Sequence, residues 1–185
     1  MKNSLIIILF ILVFIIPQFG VELDVGLMFG SRTVSESNIK NIYGNGSEFN
    51  LYLDAKVWKG LTIGATLGTG YSESGKIGLY NEDTTLKMRG FDLFFAWQFK
   101  INKLVPYLKT GISKIKYEQN TESEFATDIN ESKSTMFFAG GLKFYPANKF
   151  FVNIEIKYVP LKVTPMDEKV DLSGMNLLAG IGITF

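Results

Sequence analysis

An all-β fold, eight antiparallel strands closed up-and-down into a transmembrane β-barrel, is what the sequence predicts, and three observations predict it. Stretches of about ten residues alternate bulky apolar side chains with small or polar ones, the period of a strand whose two faces meet different surroundings. The connections between these stretches alternate long and short along the chain. The clearest stretch is the last, where Met175, Leu177, Ala179, Ile181, Ile183 and Phe185 share one face. The other face holds Asn176, Gly180, Gly182 and Thr184, with Leu178 as the exception. A soluble sheet buries its bulk and puts charge on the opposite face. Here the second face is thin and nearly uncharged, which suits the inside of a narrow barrel whose apolar side meets lipid.

Residues 1–20 differ in kind. Lys2 precedes an unbroken apolar run from Leu5 to Ile16, Pro17 breaks it, and Gly20 offers a small residue before a cut. That is the layout of a secretory signal peptide over 1–20, leaving 21–185 as the barrel. An uncleaved anchor is the alternative, but a spanning helix needs about 20 apolar residues. The chain has no Cys and hence no disulfide framework. Its net charge of +1 excludes a strongly basic nucleic-acid binder, so no nucleic acid is expected as a partner.

The first strand covers 21–30, with Val25, Leu27 and Phe29 outward and Glu22, Asp24, Gly26 and Met28 inward. Residues 31–46 are rich in Ser, Asn and Gly and read as a long loop. Residues 49–58 form the second strand, with Asn50, Tyr52, Asp54, Lys56 and Trp58 inward. Lys59 and Gly60 make a two-residue hairpin turn. The third strand, 61–71, lines the interior with Thr62, Gly64, Thr66 and Gly68, and a second polar loop follows over 72–85. The fourth strand, 86–100, shows an outer face of Phe91, Leu93, Phe95, Trp97 and Phe99. Met88 and Arg89 fall out of its phase, and a β-bulge is expected there.

The fifth strand, 104–117, points Tyr107, Lys109, Gly111 and Ser113 inward, with Pro106 near its start, where the ladder is weakest. The third loop, 118–133, is the most acidic, with Glu118, Glu122, Glu124, Asp128 and Glu131. The sixth strand, 134–145, faces Met136, Phe138, Leu142 and Phe144 outward. The seventh, 150–159, alternates outward Val152, Ile154, Ile156 and Tyr158 with inward Asn153, Glu155 and Lys157. A fourth long loop, 160–172, leads to the last strand. Each strand is long enough to cross a tilted bilayer. An even strand number with short turns at one end and long loops at the other is the outer-membrane pattern. The short turns carry Lys59, Lys100, Lys103 and Lys149 and no acid, while the four long loops taken together are net acidic.

On these residues the chain resembles the small bacterial outer-membrane barrels of the OmpA, OmpX, OmpW and opacity-protein type. The resemblance spans the mature chain. It rests on the signal layout, on Pro-Tyr-Leu-Lys-Thr-Gly at 106–111, on Ala-Gly-Gly-Leu-Lys-Phe-Tyr at 139–145 and on Ile-Gly-Ile-Thr-Phe at 181–185. It implies a bacterial outer-membrane location, contact with outer-membrane lipids, and insertion by the barrel assembly machinery with Phe185 as the assembly signal. It also implies host or envelope ligands at the long loops 31–46, 72–85, 118–133 and 160–172.

The candidate site is the interior polar network: Glu22, Asp24, Asp54, Lys56, Asp92, Lys109, Lys143, Glu155 and Lys157, with Glu48 also inward. Unpaired charges in a dry interior are costly, so paired ions filling the barrel are favoured over a path for ions or solutes. An eight-stranded barrel has room only for its own side chains. Tyr52, Trp58, Phe94, Tyr107 and Lys109 are large enough to close it, and Gly64, Gly68, Gly111, Gly141 and Gly180 give them space. The spacing of Asp128, Asn130 and Glu131 lacks the Gly of a calcium loop, and no metal or cofactor motif occurs. With neither His nor Cys, the Ser–His and Cys–His arrangements of hydrolases are absent and no enzyme is expected. The expected function is structural or surface-interacting through four extracellular loops; the alternative is a narrow channel for small or apolar solutes. A soluble lipocalin-like barrel would need the bulky face inside.

Overall fold

In lipid, an open sheet edge leaves backbone N–H and C=O groups without partners, so strands with one apolar face must close on themselves. The computed structural model describes residues 21–68, 70–78, 81–122, 128–165 and 169–185. The long strands are β1 (Glu22–Val34), β2 (Gly46–Trp58), β3 (Leu61–Gly68), β5 (Glu82–Gln98), β6 (Leu104–Thr121), β7 (Ile129–Phe144), β8 (Phe150–Val159) and β11 (Gly174–Thr184). They run antiparallel in the order β3-β2-β1-β11-β8-β7-β6-β5, and β3 pairs with β5 to close the ring. The seam between first and last strands is in register from Asp24↔Thr184 to Val34↔Gly174. It is finished by backbone bonds between Leu23 and Phe185 in both directions. The result is a closed eight-stranded antiparallel barrel with one end made of short turns and the other of long connections.

The outer surface carries an apolar belt that includes Phe29, Leu93, Phe95, Leu108, Ile112, Met136, Phe138, Ile154, Leu177 and Ile181, all exposed. The strands continue past this belt at the loop end. β5 and β6 stay in unbroken register from Gln98↔Tyr107 to Thr84↔Thr121, so β5 itself carries no bulge near Met88; on its other side the pairing passes from Gly68↔Gly90 to Ser72↔Lys87, a shift of one residue opposite Met88 and Arg89. Met88 is fully buried and points inward in phase with Asp92 and Phe94, while Arg89 is exposed. The phase is constant; the medium outside changes from lipid to water. Above the belt the bulky residues therefore turn in and the charged ones out.

The long connections are correspondingly more structured than a loop reading predicts. The region 31–46 holds the end of β1, a short helix α1 (Ser37–Tyr43) and the start of β2. The third strand stops at Gly68, and the polar stretch after it forms β4 (Ser72–Ile77), which pairs with β5 from Ser72↔Lys87 to Ile77↔Glu82. β6 and β7 lengthen into 118–133, and β9 (Lys162–Val163) and β10 (Val170–Asp171) make a small hairpin within 160–172. A register shift also occurs at the turn end, where β2 slips against β3 between Lys56 and Trp58. That shift corrects the placement of Trp58: it is 61% exposed and belongs to the outer aromatic fringe, not the lumen. Residues 1–20 and Glu124 lie outside the described residues.

Candidate functional site

The lumen is built by inward side chains from opposite walls, and their levels follow from the register. At the turn end Glu22 and Lys56 pair at 2.6 Å but are 61% and 35% exposed, so they form the rim of the mouth rather than part of the buried network. One step in, Asp24 and Asp54 stand directly opposite on paired β1 and β2. Two like charges so placed repel. Lys143, from β7 across the barrel, reaches both, at 2.6 Å to Asp24 and 2.9 Å to Asp54. Thr184 Oγ1 donates to the second oxygen of Asp24 at 2.6 Å.

Further in, Lys109 on β6 meets Glu155 on β8 at 2.7 Å, and the Tyr107 hydroxyl donates to the same carboxylate oxygen at 2.8 Å. Lys157 on β8 then meets Asp92 on β5 at 2.6 Å. Each lysine also lies over a ring: Lys143 over Phe151 at 5.0 Å, Lys109 over Phe94 at 4.3 Å and Lys157 over Phe137 at 4.8 Å. The ring faces add cation–π attraction in a dry setting.

The next level holds Arg32, Glu48, Asn50 and Asn176, all buried. Glu48 accepts from Asn50 Nδ2 at 2.9 Å and from Asn176 Nδ2. Arg32 was not legible as an interior residue because it falls in the stretch read as a loop. Yet Met28, Gly30, Arg32 and Val34 keep the inward parity of the first strand, and extending that alternation by four residues would have found it. Among the described residues the buried interior thus holds five carboxylates (Asp24, Glu48, Asp54, Asp92 and Glu155) against four cations (Arg32, Lys109, Lys143 and Lys157).

The barrel is narrow enough that its rings need glycines. Tyr52 lies over Gly26, Phe94 over Gly64, Tyr107 over Gly141 and Phe151 over Gly182. Every one of these is a directly paired neighbour across a strand ladder.

Above the polar levels the loop end is sealed by an apolar cap. Val34, Tyr43, Tyr71, Leu86, Met88, Ile115, Tyr117, Phe137, Val159, Leu161, Val163 and Leu172 form one buried cluster. Hydrogen bonds tie its pieces together: the Tyr43 and Thr84 hydroxyls at 2.9 Å, Tyr71 to the Gly44 carbonyl at 3.1 Å, and the Asp171 N–H to Glu36 at 2.7 Å. Burial pushes the Tyr71 and Tyr117 hydroxyls up to about 12; Glu131, which accepts from Tyr117, adds to the second.

An apolar belt around a closed, ion-filled barrel defines an integral outer-membrane barrel protein. The chain belongs to the outer membrane protein beta-barrel domain family, whose model matches residues 6–185, and its location is the bacterial outer membrane. Among solved structures it is similar to OprG from Pseudomonas aeruginosa, with TM-score 0.69 and 10% identity over 89% of this chain and 95% of that one. It is also similar to Neisserial surface protein A, with TM-score 0.60 and 11% identity over 90% and 97%. Ail, the attachment invasion locus protein of Yersinia pestis, solved with the heparin analogue sucrose octasulfate, gives TM-score 0.57 and 16% identity over 89% and 97%. At these identities the likeness is one of fold. No curated protein matches the chain.

Proposed function

We propose that this protein is a plugged outer-membrane barrel that acts through its loop end, not a conduit and not an enzyme. The observation that carries this reading is Lys143, whose ammonium crosses the lumen from β7 to meet β1 and β2. In an eight-stranded barrel, whose interior is just wide enough for its side chains, a side chain that spans the bore leaves little room for a path beside it. Two further ionic levels and the apolar cap lie above it.

Residues 1–20 act as the signal peptide and 21–185 as the barrel. The turn end faces the periplasm and the loop end the outside, where 31–46, 72–85, 118–133 and 160–172 meet host or envelope ligands. The secondary structure and buried apolar packing among the described residues of these connections support a surface role, since a pre-ordered surface binds at lower ordering cost than a disordered one. Phe185 is the signal that the barrel assembly machinery reads, and Asp24, Asp54, Asp92, Lys109, Lys143, Glu155 and Lys157 hold the bore shut. Catalysis finds no support, because the chain supplies neither His nor Cys as base or nucleophile. Swelling of proteoliposomes in small sugars tests the reading. Rates indistinguishable from protein-free vesicles are expected, and porin-like swelling would contradict it.

A further inference from the structure

The outer wall is not uniform at the upper border of the belt. On β5 and β6 the outward positions change abruptly from bulky apolar to cationic. Phe91 gives way to Arg89 and Lys87, and Ile112 to Lys114 and Lys116. Just past the belt on β1, β2 and β7 the outward Ser31, Ser47 and Ser134 carry no charge. The four long connections taken together are net acidic, so this basic sector stands against the charge of the end it belongs to.

The register brings the cations together. Arg89 stands directly opposite Lys116, and Lys114 opposite Phe91. Like charges directly opposite on a ladder repel. Glu118 pairs with Lys116, and neither Arg89 nor Lys114 joins a salt bridge among the described residues. Arg89, Lys114 and Lys116 line one open groove of about 520 Å³ on the outer wall, together with Leu67 and Phe91, each 40% exposed. Glu131 lines it too, but its carboxylate accepts from the hydroxyl of buried Tyr117. Leu67 and Phe91 are paired neighbours whose exposed faces continue into the belt. The groove thus offers a charged end and an apolar end to one molecule. A soluble anion would leave the apolar end bare, and a lipid without net charge would leave the cations unmatched.

We propose that this groove binds a lipid with an anionic phosphate head, the phosphate held by Arg89, Lys114 and Lys116 and an acyl chain laid over Leu67 and Phe91. The planar fork of Arg89 and the two ammonium groups match the several oxygens of a phosphate, and the anion between them relieves the repulsion of Arg89 by Lys116. That the lipid belongs to the outer leaflet rests on the orientation proposed above; the binding itself does not.

The test is a titration of the full barrel, refolded in uncharged maltoside micelles, with dioleoyl phosphatidylglycerol, followed by amide chemical shifts. This readout is independent of membrane orientation and of conduction. Saturable shifts at Gly90, Lys114 and Ser132 are expected. Dioleoyl phosphatidylcholine, which lacks the net charge, and glycerol phosphate, which lacks the chains, should not saturate these residues over the same range. Replacing Arg89 and Lys114 together by Gln should weaken binding about tenfold. The charge-preserving Arg89→Lys/Lys114→Arg protein should keep most of the affinity, and Lys59→Gln/Lys100→Gln at the turn end should leave these shifts unchanged. Four results would each overturn the proposal: no saturable shift, an equal response to phosphatidylcholine, an equal response to glycerol phosphate, or unchanged affinity in the Arg89→Gln/Lys114→Gln protein.

Discussion

Lys143 and Asp54 meet at 2.9 Å although their strands lie on opposite sides of the barrel, four places apart around the ring. The contact exists because Asp54 stands beside Asp24, and neither carboxylate tolerates the other in a buried place without a shared cation. Replacing Lys143 by Met should therefore cost about 3–5 kcal/mol, the usual result of stranding a buried charge. Adding Asp54→Asn to the Met variant should restore part of the loss. Urea titrations into lipid vesicles give both numbers, and an additive pair would contradict the coupling.

The Tyr52 ring over Gly26 gives a second prediction. The three atoms nearest to a methyl group at Gly26 would all belong to Tyr52, so Gly26→Ala should cost about 1–3 kcal/mol as an overpacked site does. With Tyr52→Leu already in place the same change should cost much less. A double-mutant cycle in detergent reads the coupling; its absence would mean that the ring lies elsewhere.

The apolar belt predicts an asymmetry between faces. Arg at Leu53 or Ile154, both on the outward phase, should cost about 2–4 kcal/mol at mid-bilayer. Arg at Glu122, exposed beyond the belt, should cost little. Equal losses at the two places in vesicle titrations would contradict the topology.

The strands inside the membrane were legible in the sequence because lipid outside and a packed bore inside impose a strict period of two. Above the belt that contrast reverses. Met88 and Arg89 looked out of phase only because a period read with lipid outside was carried into a region with water outside. Polar composition likewise disguised β4, whose Ser72, Ser74 and Lys76 lie in a strand that never meets lipid. Trp58 was misplaced because a register shift of one residue leaves no mark in composition. The ion pairs themselves were legible only as a near balance of signs. Which lysine meets which acid depends on shear and ring order, and those are properties of the closed barrel.

The titrating groups outside the belt set the pH response. Glu118 is held below the usual carboxylate range by the Lys116 ammonium that hydrogen-bonds it, and Asp171 by its hydrogen bonds from Ser173. Groups lowered on folding stabilise above their ordinary values, and that contribution fades as pH falls through the folded ones. Tyr71 and Tyr117 are raised to about 12, so their contribution is complete below the ordinary value of 10.0 and fades as pH rises toward about 12. Between these limits the chain has no His to titrate. Protease resistance of the loop end should thus stay flat across mild pH and drop in strong alkali together with tyrosinate absorbance. A sharp transition near neutrality would contradict the assignment.

With Phe185 as the proposed assembly signal, its deletion should separate assembly from stability. The residue is 44% exposed, and beyond its two backbone bonds to Leu23 it adds little to the seam. The truncated chain should refold in detergent nearly as the full chain does, yet reach the outer membrane of cells in reduced amount. Normal membrane levels by quantitative blotting would remove Phe185 as the assembly signal.

The closed bore is tested most directly by single-channel recording of the purified protein in planar bilayers. Silence, or rare small events, is the result that a lumen crossed by Lys143 and capped by apolar side chains predicts. Stable openings of porin size would contradict it.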